Sequence, residues 1–214
     1  MKFFALSTSF MLVTALLLTS SSNAQLIELF SNNDFEGPFG NGDVINVANW
    51  HSFAGPGATG AGANTTSPLS GLTHGQIEIA GASNSFAGLQ QQAAVTAGDL
   101  YTFSFFAEED AGLDVGIEYR IEWRDAADNE ISRDQLTATT FGSPYSQFSV
   151  GGVAPAGAVA ARAIIALQSF QGGTQGLIRV DDTSFTGPAA IPEPTALAML
   201  GLGGLGLVAR RRRS

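Results

Sequence analysis

The chain has no cysteine among its 214 residues. That excludes disulfides, thiolate metal centres and a cysteine nucleophile, and leaves the fold to its apolar core, helped at most by an oxygen-liganded cation. Basic residues are also scarce: ten Lys and Arg stand against nineteen Asp and Glu, for a net charge of -9, and much of the positive charge lies in the C-terminal tail. A domain this acidic is a poor partner for nucleic acid or an anionic membrane surface. The only histidines, His51 and His74, lie in or beside Gly-rich stretches. They offer no Ser-His-Asp arrangement and no metal-ligating cluster, and the carboxylates are spread along the chain, so the sequence points away from an enzyme. No interior segment shows the periodicity of an amphipathic helix.

Both ends carry processing signals. Residues 1–24 start with Lys2, continue apolar to Leu18 and finish in Ser22-Asn23-Ala24. This order predicts a secretory signal peptide cleaved between Ala24 and Gln25. At the other end, Pro192-Glu193-Pro194 precedes an apolar run over 195–209 and then Arg210, Arg211, Arg212 and Arg213. As a short helix, 196–209 would extend about 21 Å, less than a ~30 Å hydrocarbon core. Gly201, Gly203, Gly204 and Gly206 weaken such a helix in water. In lipid the unsatisfied backbone forces it, and the arginines keep its end cytoplasmic with the bulk of the chain outside. The prolines stop the helix from running back and leave Glu193 on an extended peptide. The tail, 191–214, resembles the PEP-CTERM sorting signal of bacterial surface proteins. That resemblance implies transient insertion in the inner membrane, removal of the tail by a membrane-embedded exosortase, and a mature protein at the cell surface or in the extracellular matrix. A plain C-terminal anchor is the alternative. Residues 25–190 are then one domain, large enough for a substantial core.

Within that domain the dominant pattern has period two. Val115, Ile117, Tyr119, Ile121 and Trp123 alternate with Gly116, Glu118, Arg120, Glu122 and Arg124, as do Tyr101, Phe103, Phe105 and Ala107 with Thr102, Ser104, Phe106 and Glu108. Segments 89–95, 146–150, 160–168 and 177–185 also read as strands, separated by turn signals at 97–99, 111–112, 125–129, 151–152, 155–157 and 172–173. Strands so spaced, without helices between them, predict an all-β antiparallel sandwich of jelly-roll type. Its expected core is Tyr101, Phe103, Phe105, Ile117, Tyr119, Ile121, Ile165 and Val180. Glu118, Arg120, Glu122 and Arg124 share one strand face, which suggests cross-strand ion pairing on a wet surface. Gly55, Gly57 and Gly60 read as a flexible loop, and Glu108, Glu109, Asp110 and Asp114 as a solvated acidic hairpin.

The order of segments carries a second resemblance. Asn33-Asp34-Phe35-Glu36, Trp50, the Val-Thr-Ala-Gly-Asp-Leu-Tyr-Thr-Phe-Ser-Phe stretch at 95–105, Val-Ala-Pro-Ala-Gly at 153–157 and Ile-Arg-Val-Asp-Asp-Thr-Ser-Phe at 178–185 follow one another. Together they resemble the galactose-binding-like jelly roll of secreted carbohydrate-binding modules. The resemblance implies that the first and last strands lie together, and that a structural calcium is held by Glu36 with Asp181, Asp182 or both. For a non-catalytic sugar site on extracellular polysaccharide, the available aromatic and amide groups are Trp50, Phe106, Tyr145, Gln90 and Gln92. The other reading is a structural surface or matrix protein with no specific ligand.

Overall fold

The computed structural model describes residues 25–37, 49–57, 59–138 and 140–188. Eleven strands follow in order: β1 (Leu26–Glu28), β2 (His51–Ala54), β3 (Thr59–Asn64), β4 (His74–Ala80), β5 (Phe86–Ala94), β6 (Leu100–Glu109), β7 (Gly116–Arg124), β8 (Glu130–Ala138), β9 (Ser146–Val153), β10 (Ala160–Gln168) and β11 (Gln175–Pro188). They form two antiparallel sheets. The first runs β3-β4-β11-β6-β9 with β1 added beside β11, and the second runs β2-β5-β10-β7-β8. The expected all-β sandwich is therefore the fold. Among the described residues no helix is long and apolar enough to cross a membrane.

The spine of the first sheet is β11. One side pairs with β6, and the other pairs with β4 up to Val180 and then with β1, from Glu28↔Thr186 to Leu26↔Pro188. First and last strands do lie together. The ladder to β6 is interrupted by a bulge between Asp181 and Ser184, where Asp182 takes φ 43°. A bulge here re-aims both aspartates.

The alternating residues of β6 and β7 face each other across the sandwich, and all eight expected core residues are buried. Residues 29–37 close one end of this core with aromatic rings. Trp50 is fully buried there, its ring centroid 5.4 Å from Phe30 in an edge contact and 5.3 Å from Phe35. This removes Trp50 from any surface site.

Other expectations need correction. Gly60 lies inside β3, paired with Glu78, and not in a loop; only Gly55 and Gly57 precede that strand. His51 and His74 open β2 and β4 and are both buried, although the sequence placed them with the Gly-rich loops. The acidic hairpin is also less solvated than expected. Glu109 accepts hydrogen bonds from the Thr140 hydroxyl and Phe141 N–H, both at 2.7 Å, and Asp110 pairs with Arg179 at 2.6 Å.

Candidate functional site

Glu36, Asp181 and Asp182 converge on one loop. Glu36 Oε1 accepts from the N–H groups of Leu72 and Thr73, each at 2.7 Å, and from the Thr73 hydroxyl at 3.1 Å. The backbone bonds from Thr73 and Leu72 hold its carboxyl below the usual range. Asp181, fully buried, accepts from Leu69 N–H at 2.9 Å and Ser70 N–H at 3.1 Å through Oδ2, and from Asp182 N–H at 2.8 Å through Oδ1. Asp182 Oδ1 accepts from the Ser70 hydroxyl at 2.8 Å. The acids thus clamp residues 69–73 as N–H and O–H acceptors. A calcium cage requires six to eight oxygens converging on one point, whereas Glu36 Oε1 and Asp181 Oδ2 each accept from two backbone N–H groups here. Among the described residues no group of three or more His, Asp or Glu is placed to hold a metal ion. The three acids as arranged do not fit the calcium role.

The other named residues fall on opposite sides of the sandwich. Phe106 follows inward Phe105, so it faces out from the first sheet, between Asp181 and Gln147. Tyr145 donates from its hydroxyl to the Ser67 carbonyl at 3.3 Å; burial first, then the charges of Glu108 and Asp181, push its pKa up. Gln90 and Gln92 face out from the second sheet, opposite Ile164 and Arg162 of β10. Phe106 and Tyr145 therefore share no site with the two glutamines.

The outer face of the second sheet has the more distinctive chemistry. Its central strand, β10, presents Ala160, Arg162, Ile164 and Ala166 outward, yet Ala166 is 2% exposed, Ile164 3% and Arg162 8%. On the neighbouring strand β7 the outward Glu122 and Glu118 are 3% and 7% exposed. Outward side chains in mid-sheet reach such values when the face is sheltered by its flanks. Ile164 and Ala166 thus lie beneath the longer side chains of the neighbouring strands β5 and β7.

These longer side chains are polar and mutually bonded. Arg120 bridges Glu118 and Glu122, and Arg124 bonds Glu122 again, in one ladder along β7. Gln168 Nε2 donates to Glu118 Oε2 at 2.6 Å. Burial alone would raise the Glu122 pKa, but hydrogen bonds and charge from Arg124 and Arg120 outweigh it and hold the group low. The Arg162 guanidinium donates to Gln92 Oε1 at 3.1 Å and to Asp128 Oδ2 at 2.8 Å. The ion pairs expected across strands on a wet surface thus run along one strand on a sheltered face. Between the terminal segments the chain has five arginines and no lysine. Arg120, Arg124, Arg133 and Arg162 all lie on this face.

Aromatic rings flank one end of it. Phe53 lies over Gly88, where a Cβ would meet both that ring and, at 2.6 Å, the Ile165 carbonyl. Phe86 sits 6.1 Å from Phe53 and 6.1 Å from Phe170, which is 53% exposed. Of this constellation the sequence reading named only Gln90 and Gln92 as ligand candidates. A usable cue was present: β10 is apolar on both faces, and a strand covered on both faces reads as a near-continuous apolar run.

Comparison with known proteins bears on both the tail and the sandwich. Residues 190–213 match the family model described as the PEP-CTERM protein-sorting motif. The chain carries a PEP-CTERM sorting motif. Its residues Pro192, Glu193, Pro194 and Arg210 to Arg213, like the 1–24 signal, lie outside the described residues. The PEP-CTERM motif marks a protein exported and sorted to the surface or exterior. No curated protein matches the chain. Among solved structures, a carbohydrate-binding module of the β-sandwich superfamily shares 13% identity over 64% of this chain and 56% of that one, with a TM-score of 0.50. An arabinose-bound α-L-arabinofuranosidase, MgGH51, shares 16% identity over 76% of this chain and 26% of its own, with a TM-score of 0.55. The enzymatically active domain of bacteriophage CBA120 tailspike protein 4 shares 16% identity over 74% of this chain and 21% of its own, at 0.54. The chain thus spans between about a fifth and just over half the length of these proteins. At these identities the similarity shows the sandwich fold shared with carbohydrate-binding modules.

Proposed function

We propose that the sandwich, exported and released from its tail by an exosortase, binds carbohydrate without cleaving it, on the outer face of the second sheet. The observation that carries this reading is the bonded row of Glu118, Arg120, Glu122 and Arg162 laid over the buried Ile164 and Ala166. Carboxylates accept from sugar hydroxyls and guanidiniums donate to them, while the ion pairs hold both groups in place before the ligand arrives. Gln90 and Gln92 add amides on the opposite side, and Phe53, Phe86 and Phe170 supply ring faces. Binding is favoured over hydrolysis because glycoside cleavage needs one carboxyl kept protonated. Here Glu118 and Glu122 both face arginine, and Glu122 is held ionised.

A glycan array probed with the exported protein and with a Gln90→Ala/Gln92→Ala variant tests this. Glycan binding by the wild type, lost in a variant that melts at the same temperature, is the expected result. A folded wild type that binds no glycan would favour a displayed structural unit without a ligand.

A further inference from the structure

The sheltered face is bounded at both ends, and one end is a cavity. At Arg162 the guanidinium spans from Gln92 on β5 to Asp128 in the β7–β8 turn, crossing the central strand. From there residues 162–168 of β10, buried up to Leu167, run about 20 Å along the face. Beyond Gln168 lies a cavity of about 570 Å³ lined by Glu118, Thr137, Gln168, Phe170, the 113–115 connection and the start of β7. That volume falls among those of small-molecule sites.

Two connections stitched together close the far side. Asp114 N–H donates to the Gln175 carbonyl at 2.9 Å, and Asp114 Oδ1 accepts from the N–H groups of Thr174 at 2.9 Å and Gln175 at 2.7 Å. Gly173 lies so close to the Asp114 carbonyl that a Cβ there would collide with it. A polymer entering along β10 meets a wall at this end and the Arg162 crossbar at the other.

From this geometry we infer that the domain recognises the end of a neutral glycan chain and not its interior. The inference rests on the carbohydrate reading above. The terminal sugar occupies the cavity with a ring face against Phe170. Gln168 and Glu118 meet its hydroxyls, because a carboxylate has about four acceptor positions and Arg120 and Gln168 fill only two at Glu118. The following units lie over the side chains that cover Ala166 and Ile164, among them Gln90 and Arg120 on the neighbouring strands. A terminal uronate is disfavoured, because Glu118 and Asp114 both line the cavity.

The test uses calorimetry of the exported protein with a panel of neutral polysaccharides, each presented intact and as its short oligosaccharides at equal sugar mass. Binding that scales with the number of chain ends, and that weakens about tenfold in Phe170→Ala and in Glu118→Gln, is the expected outcome. Phe170 is exposed, so its variant keeps the wild-type melting temperature and separates lost binding from lost folding. Affinity that follows total sugar mass, with Phe170→Ala unchanged, overturns end recognition and leaves groove binding standing. Failure to bind any member of the panel, intact or shortened, overturns both.

Discussion

His74 is fully buried on the outer side of β4, and neither ring nitrogen has a hydrogen-bond partner. Burial, followed by the charge of Arg179, pushes its pKa from 6.5 to about 4. The folded state therefore binds fewer protons than the unfolded state between these values, and stability falls as pH drops through the window. With allowance for screening, the loss is on the order of 2 kcal/mol. Asp181, whose pKa burial raises, acts in the opposite direction, while Glu36, Glu122 and Asp125, all lowered, lose their contributions only at or below the ordinary carboxylate range. Urea unfolding from pH 7 to 4.5 should show the decline in wild type and a flatter profile in His74→Phe; equal slopes would remove His74 as the cause. The clamp on residues 69–73 gives a second expectation. Asp181→Asn turns an amide donor toward N–H groups already seeking acceptors, and should cost about 1–3 kcal/mol. A chelator should leave the melting temperature unchanged. A large chelator-induced drop would mean that a cation displaces those N–H donors in solution.

At the scale of elements, the central strands of both sheets share one requirement, a sheltered side chain on each face. Ile121 of β7 is fully buried on the core side, and Ile121→Ala should cost about 2–5 kcal/mol in denaturant unfolding. On the groove side, Gly88 of β5 makes room for Phe53, so Gly88→Ala should displace that ring, destabilise by about 1–3 kcal/mol and weaken sugar binding. Melting and affinity both at wild-type values would contradict the close approach. Strands β6, β7 and β11 could be read from the sequence because their aromatic, isoleucine and valine residues alternate against a buried partner sheet, and β10 because it is a nearly continuous apolar run. Strand β8 could not, because Glu130–Ala138 is an edge with almost no buried side chain, so burial imposed no pattern on it. Strand β3 is Gly-Ala-rich and equally silent. For the site, the Glu118–Arg124 alternation was visible, but its shelter arises from the shape of the sheet, which no single strand encodes. Trp50 is a core ring because 29–37 folds over it, a contact made by a segment without period.

For the whole molecule, the sorting motif marks export to the surface or exterior of an acidic chain, and four of the five arginines between its terminal segments lie on one sheet face. Mass spectrometry of the surface-extracted protein should find 1–24 and most of 195–214 missing. An intact Arg210–Arg213 terminus would instead favour a permanent anchor. Carbohydrate binding is assigned to this face and not to the Phe106/Tyr145 side. That assignment is tested most directly by measuring affinity for one array-identified glycan in two double variants, Gln90→Ala/Gln92→Ala on the second sheet and Phe106→Ala/Tyr145→Ala on the first. Binding is expected to be lost in the first and kept in the second, with both variants folded; loss in the second and retention in the first would overturn the assignment.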